Sequence, residues 1–300
     1  MGEITEALRR AKLQRDSQQE TDPGAGRAPR ESTVIRAGLD LPPPVERAVP
    51  DAIPIDEVAE ESVEVAPIPR TRSGPWPARA VLLDPRQPHT ERFRRFAVRV
   101  RQELKRHEMK SVLITSPVRS EGKTFTACNL VLALASMAAG GRIALLELDV
   151  RRPSAAQGLG VDPRVGIEEV LTGAATLEAA RIRTEFPSLD LYLVREPPPQ
   201  AHEILNLPSL EAIFCELGTR YDAVVVDSPP VLPVPDVSLI LGHVDACVAV
   251  VRAGRSRLAA AHDMFEQLPR DKLLGVFVND ISSPLRSEQY GYYFAEAEPQ

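Results

Sequence analysis

"SVLITSPVRSEGKTFTACNLVLALASMAAGG" (residues 111–141) decides how this chain folds. "SVLIT" (Ser111–Thr115) is a short unbroken run of aliphatic and β-branched residues, the pattern of a strand buried on both faces. A helical pattern follows from Lys123 to about Ala139, where two glycines end it. The loop between them closes with Gly122, Lys123 and Thr124, the second half of the phosphate-binding pattern G-x-x-x-x-G-K-[ST]; Pro117 occupies the place of its first glycine. Between a buried strand and a helix, such a loop turns backbone N–H groups and the positive end of the helix dipole toward a phosphate. Lys123 would reach the β/γ oxygens, and the Thr124 hydroxyl would ligate Mg²⁺.

The same alternation continues outward. "RIALLEL" (Arg142–Leu148), "LDLYLV" (Leu189–Val194), "YDAVVVD" (Tyr221–Asp227), "DACVAVV" (Asp245–Val251) and "LLGVFVN" (Leu273–Asn279) read as further strands. Helical patterns occupy Glu203–Gly218, Asp236–Leu241 and Arg257–Leu268. Another runs from Thr90, its cap, to about His107, with Phe93, Phe96, Val100 and Leu104 as its apolar stripe. The expected fold is α/β: a doubly wound, mostly parallel sheet of the P-loop NTPase type with ligands at the carboxyl ends of its strands.

Two more strand ends carry acid. In "LLELDVRRP" (Leu145–Pro153), Glu147 and Asp149 lie two apart, a spacing that lets both point to one side of the pleat. Beside a triphosphate, such a pair suits a divalent cation or a hydroxyl to be deprotonated; Arg151 and Arg152 would offset the charge or hold a phosphate oxygen. A solvated strand end is the plainer alternative. In "YDAVVVDSPPV" (Tyr221–Val231), four apolar residues run into Asp227, and the Ser228–Pro229–Pro230 turn fixes the exit of the chain.

Composition bounds the rest. Residues 17–78 are rich in proline and carry the acidic run "DEVAEESVEVA" (Asp56–Ala66), too little apolar surface to offset the entropy of ordering. They are expected to form a disordered linker between a short amphipathic helix (1–16: Ile4, Ala7, Leu8, Ala11) and a P-loop domain (79–283). A flexible tail (284–300) follows. A net charge of -6 argues against nucleic acid and against anionic membranes. Cys128, Cys215 and Cys247 are scattered, as in a reduced cytoplasmic protein, and no run is long enough to insert directly in a membrane. Tyr290, Tyr292 and Tyr293 cluster in the tail, either as exposed hydroxyls or folded back as packed aromatics.

The order of "SPVRSEGKT", "LLELDVRRP", "GIEEVLTG", "YDAVVVDSPPV" and "GVFVND" resembles that of the bacterial tyrosine kinases of polysaccharide export, relatives of the MinD/ParA-like ATPases, over roughly Arg79–Asp280. The resemblance implies an ATP·Mg²⁺ site formed by Ser120, Glu121, Gly122, Lys123, Thr124, Phe125, Arg151 and Asn279, the last near the adenine. It implies that Lys123, Glu147, Asp149 and Asp227 are catalytic, and that Thr124, Glu147, Asp149 and Asp227 surround the metal. Asp149 matches the carboxylate credited with activating a tyrosine hydroxyl, and Tyr290, Tyr292 and Tyr293 match the phosphoacceptors of the tail. The implied function is an autophosphorylating protein-tyrosine kinase regulating exopolysaccharide or capsule synthesis. Its implied place is the inner face of the plasma membrane, where the cytoplasmic segment of a membrane polysaccharide co-polymerase recruits it.

Self-association is implied by Glu91 and Arg94, part of an E-x-x-R-x-x-R ring helix, although Ala97 replaces the second arginine. Further departures are Glu147, where the family has aspartate, and Ser120 and Phe125, where it has a glycine and a small hydroxyl residue. They favour the alternative, an ATP-binding switch or scaffold for a polysaccharide-export complex that phosphorylates no protein.

Overall fold

A computed structural model of the chain describes residues 31–35, 65–68, 88–138 and 140–281. The amphipathic N-terminal segment and the tail tyrosines lie outside these residues. Among the described residues nine strands form one sheet: β1 (Glu31–Ile35), β2 (Val65–Ala66), β3 (Ser111–Thr115), β4 (Ile143–Glu147), β5 (Ile182–Thr184), β6 (Leu189–Tyr192), β7 (Ala223–Asp227), β8 (Ala246–Arg252) and β9 (Leu273–Ile281). Their order across the sheet is β1-β9-β8-β3-β7-β4-β6-β5-β2. The six strands from β9 to β6 in that order run parallel, while β1 is antiparallel to β9 and β5 antiparallel to β6.

Each central strand is buried along its whole length, as its unbroken aliphatic run requires in a sheet covered on both faces. Helices α1 (Pro88–Arg106), α2 (Lys123–Ser136) and α3 (Ala155–Leu159) cover one face; α4 (Ile167–Leu171), α5 (Ala201–Leu205), α6 (Ser209–Arg220), α7 (Asp236–Leu241) and α8 (Leu258–Gln267) cover the other. Phe93 and Phe96 of α1 both pack on Phe277 of β9, and Phe93 meets Phe125 edge-on at the start of α2.

Three details differ from the sequence reading. β1 and β2 lie within the segment read as disordered linker; an open sheet edge offers unpaired backbone groups to any passing extended piece of chain, so short stretches find partners there. The helix expected over Glu203–Gly218 is two, α5 and α6, because Pro208 lacks the N–H that would continue α5. α1 starts at Pro88, ahead of the cap expected at Thr90, and a proline fits the first turn of a helix.

Candidate active site

β3 lies in the middle of the sheet, so the loop after it is flanked by β7 on one side and β8 on the other. α2 starts at Lys123, and both the backbone N–H and the hydroxyl of Thr126 donate to the Gly122 carbonyl at 2.8 Å. Gly122 has φ 95°, and a Cβ there would lie 2.1 Å from Nδ2 of Asn279, so this glycine is required twice over. Pro117 is tolerated in place of the earlier glycine because the backbone there has no positive φ. That end of the loop is fastened instead to the Ser228–Pro229–Pro230 turn: Val231 N donates to Ser116 O at 2.8 Å and Leu232 N to Pro117 O at 3.2 Å.

Four of the expected groups converge. Lys123 Nζ donates to Asp149 Oδ2 at 2.6 Å and to Thr124 Oγ1 at 3.2 Å, and lies 3.8 Å from Asp227 Oδ1. Burial alone would lower the Lys123 ammonium, but Asp227 and Asp149 outweigh it and hold it up. Asp227 is fully buried, and neither of its carboxylate oxygens has a hydrogen-bond partner among the described residues. Burial pushes its carboxyl up to about 6 despite the pull of Lys123.

A buried carboxylate whose cation stands 3.8 Å away is costly unless a closer cation completes it. Asp227, Asp149 and the Thr124 hydroxyl all surround the one ammonium of Lys123, a hard-oxygen set with more acid than base. That set fits Mg²⁺.

Glu147 lies beside this cluster, opposite Asp227 in the β4–β7 register, and its charge acts on Lys123, but its hydrogen bonds go elsewhere. β4 ends at Glu147, so the two-residue alternation that would aim it with Asp149 stops there. Its Oε1 accepts the N–H groups of Ser154 and Ala155 at 2.7 and 2.8 Å, capping α3, and its Oε2 accepts Val194 N at 3.1 Å beyond β6. Burial and then the charge of Asp227 push its carboxyl up to about 7, against these three donors, which favour the ionised form. The added methylene thus serves reach: Glu147 joins two loops through three backbone N–H groups.

Arg151 is also engaged elsewhere. It forms a two-pronged pair with buried Asp236 at the start of α7, Nε–Oδ2 2.6 Å and Nη2–Oδ1 3.1 Å. His202 Nδ1 lies 3.1 Å from the same Asp236. Neither partner is visible in the sequence, since each contact joins segments that follow different strands. Asn279 sits against the loop, its Nδ2 donating to Glu121 O at 3.0 Å. Ser120 has φ 64°, the reason a glycine suits that position. Glu91 is occupied within its own helix by Arg94 and Arg95, at 3.8 and 3.4 Å. A separate cleft of about 370 Å³, lined by Phe96, Val100, Val248 and Leu274 among others, contains none of these polar groups.

The chain is 29% identical over 214 residues to the tyrosine-protein kinase YwqD of Bacillus subtilis, a match covering 71% of this chain and 89% of YwqD. It is 30% identical over 207 residues to the succinoglycan biosynthesis transport protein ExoP of Rhizobium meliloti, covering 67% of this chain but 26% of ExoP. The chain thus spans most of the first protein and about a quarter of the second. Among solved structures, the BceF tyrosine kinase domain superposes with a TM-score of 0.62 at 26% identity, over 72% of this chain and 83% of that domain. No family model matches the chain.

Proposed function

We propose that this chain, which belongs with the bacterial tyrosine kinases by sequence and by fold, is an ATP-dependent protein-tyrosine kinase that phosphorylates Tyr290, Tyr292 and Tyr293 of its own tail. The observation that carries the proposal is the meeting of Lys123, Asp149 and Asp227 at the mouth of one loop, with the Asp227 carboxylate fully buried and 3.8 Å from the Lys123 ammonium. Thr124 and Asp227 would hold Mg²⁺, which supplies charge neutralisation between the phosphates when bound. Lys123 has three N–H donors, of which Asp149 and Thr124 take two. When phosphate oxygens draw the ammonium away, Asp149 is left with a free oxygen to accept a proton. It then takes the phenolic proton while the tyrosine oxygen bonds to the γ-phosphorus and the bond to the departing ADP breaks. The buried charges around the site act by positioning and electrostatics, the main sources of rate in such a transfer.

As part of the same reading, the partner is the cytoplasmic segment of a membrane polysaccharide co-polymerase, and copies of the chain associate with each other at the inner face of the membrane. The likeness to ExoP, named for succinoglycan transport, supports that assignment. The withdrawal of Glu147 into structural bonds favours a second reading, an ATP-binding switch that phosphorylates no protein. Full-length chain incubated with γ-labelled ATP, with and without the co-polymerase segment, separates the two. Label on the tail tyrosines that disappears with Asp149→Asn supports the kinase. Nucleotide binding without label under both conditions overturns it.

A further inference from the structure

The phosphate loop is held from the flank opposite Asp227. Glu121, the residue before Gly122, is 4% exposed, and its Oε2 accepts Arg252 N at 2.7 Å together with the Ser256 hydroxyl. Arg252 ends β8; its Nη1 donates to Ser120 O at 3.3 Å and its Nε to Asp280 Oδ2 at 2.7 Å. Asn279, paired with Arg252 in the β8–β9 register, donates to the Glu121 carbonyl. The loop is thus gripped through side chain and backbone by the ends of two strands that contribute nothing to the Lys123 cluster.

A carboxylate inside a phosphate loop repels the anion the loop is built to receive, unless something else occupies it. Here two donors and the nearby guanidinium occupy it. Ser120 keeps a left-handed backbone that non-glycine residues hold only when their surroundings enforce it, and Arg252 bonds its carbonyl. A left-handed serine, a sealed acidic side chain and a glycine whose Cβ would strike Asn279 follow one another in three consecutive positions.

We propose that Glu121 is a positioning residue: clamped by Arg252 and Ser256, it sets the loop in the shape that presents its amides and Lys123 to a nucleotide. The inference deepens the nucleotide-binding part of the function proposed above and rests on it only for what the loop receives.

The test uses the full chain as wild type, Glu121→Ala, Glu121→Gln and Ser256→Ala. Two readings are taken: hydrogen exchange of amides 118–124 and the Kd for MgADP. Loss of the clamp in Glu121→Ala should speed exchange of those amides by about tenfold and weaken MgADP by a similar factor, the size expected for a lost pair of hydrogen bonds. Glutamine offers the same acceptor to both donors and should restore both readings to within about threefold of wild type. Ser256→Ala, a change at a half-buried turn residue that keeps the fold safe, should show the same local loosening at roughly threefold.

Unchanged exchange at 118–124, or faster exchange with unchanged MgADP affinity, overturns the proposal. So does glutamine no better than alanine with exchange raised across the whole sheet, the mark of a plain folding role. If wild type binds no MgADP while local exchange follows the expected pattern, the clamp stands and the nucleotide reading falls.

Discussion

Replacing Asp227 by asparagine should make the ligand-free protein more stable and the liganded protein less so. The Asp227 carboxyl is raised from 3.8 to about 6. At about 1.36 kcal/mol per unit, keeping it ionised above pH 7 costs roughly 3 kcal/mol. Asp227→Asn preserves the shape and removes the charge, but leaves an amide with no partner, at about 1–2 kcal/mol. The charge term is larger, so the net gain is about 1 kcal/mol, or roughly 2–4 °C in melting temperature for a domain of this size. Calorimetry at pH 7.5 without nucleotide reads it directly.

Repeating the scan with MgADP at about a hundred times its Kd adds about 2.7 kcal/mol to wild type. In Asp227→Asn that increment should largely vanish, because the metal has lost its buried carboxylate. A variant that melts below wild type without ligand, and still gains the full increment from MgADP, would refute both the burial cost and the metal assignment.

Two further outcomes follow from the same geometry. Glu147→Asp installs the residue of the kinases the chain resembles but is one methylene too short to hold Ser154, Ala155 and Val194 together, so it should lose about 1–3 kcal/mol in a thermal melt and gain no autophosphorylation; a marked rise in tail labelling would assign Glu147 to the metal site. For MgADP binding, the sign is set by competition: a proton on Asp227 excludes the cation, so affinity should be level above about pH 6 and fall by up to about tenfold per unit below it. Isothermal titration at pH 5, 6 and 7.5 checks this, and a flat profile contradicts it.

Much of the fold was legible because its signals are local. A β-branched run such as "AVVVD" bounded by turn residues suits a doubly covered strand, and Gly122–Lys123–Thr124 between strand and helix marks the candidate site. Edges and loop contacts were not legible. β5 is three residues long and β2 two, too short to show a period. β1 did carry a signal in the β-branched run Thr33–Val34–Ile35, outweighed by the prolines around it. The direction of Glu147 could not be read because alternation holds only while the strand lasts, and β4 stops at that residue. The partners of Arg151 and Glu121 lie 85 and 131 residues away, joined only by the order of strands in the sheet.

That strand order has a bearing on solubility. β1 and β2 come from the proline-rich stretch that precedes the domain, yet they lie at the two opposite ends of the nine-strand sheet. One pairs with β9 and the other with β5, so each covers a row of backbone donors and acceptors that would otherwise invite pairing with a neighbouring molecule. A chain shortened to begin at Arg79 would keep every residue of the candidate site and leave both rims bare. The segment that looks dispensable for chemistry is then the one that keeps concentrated copies from sticking edge to edge.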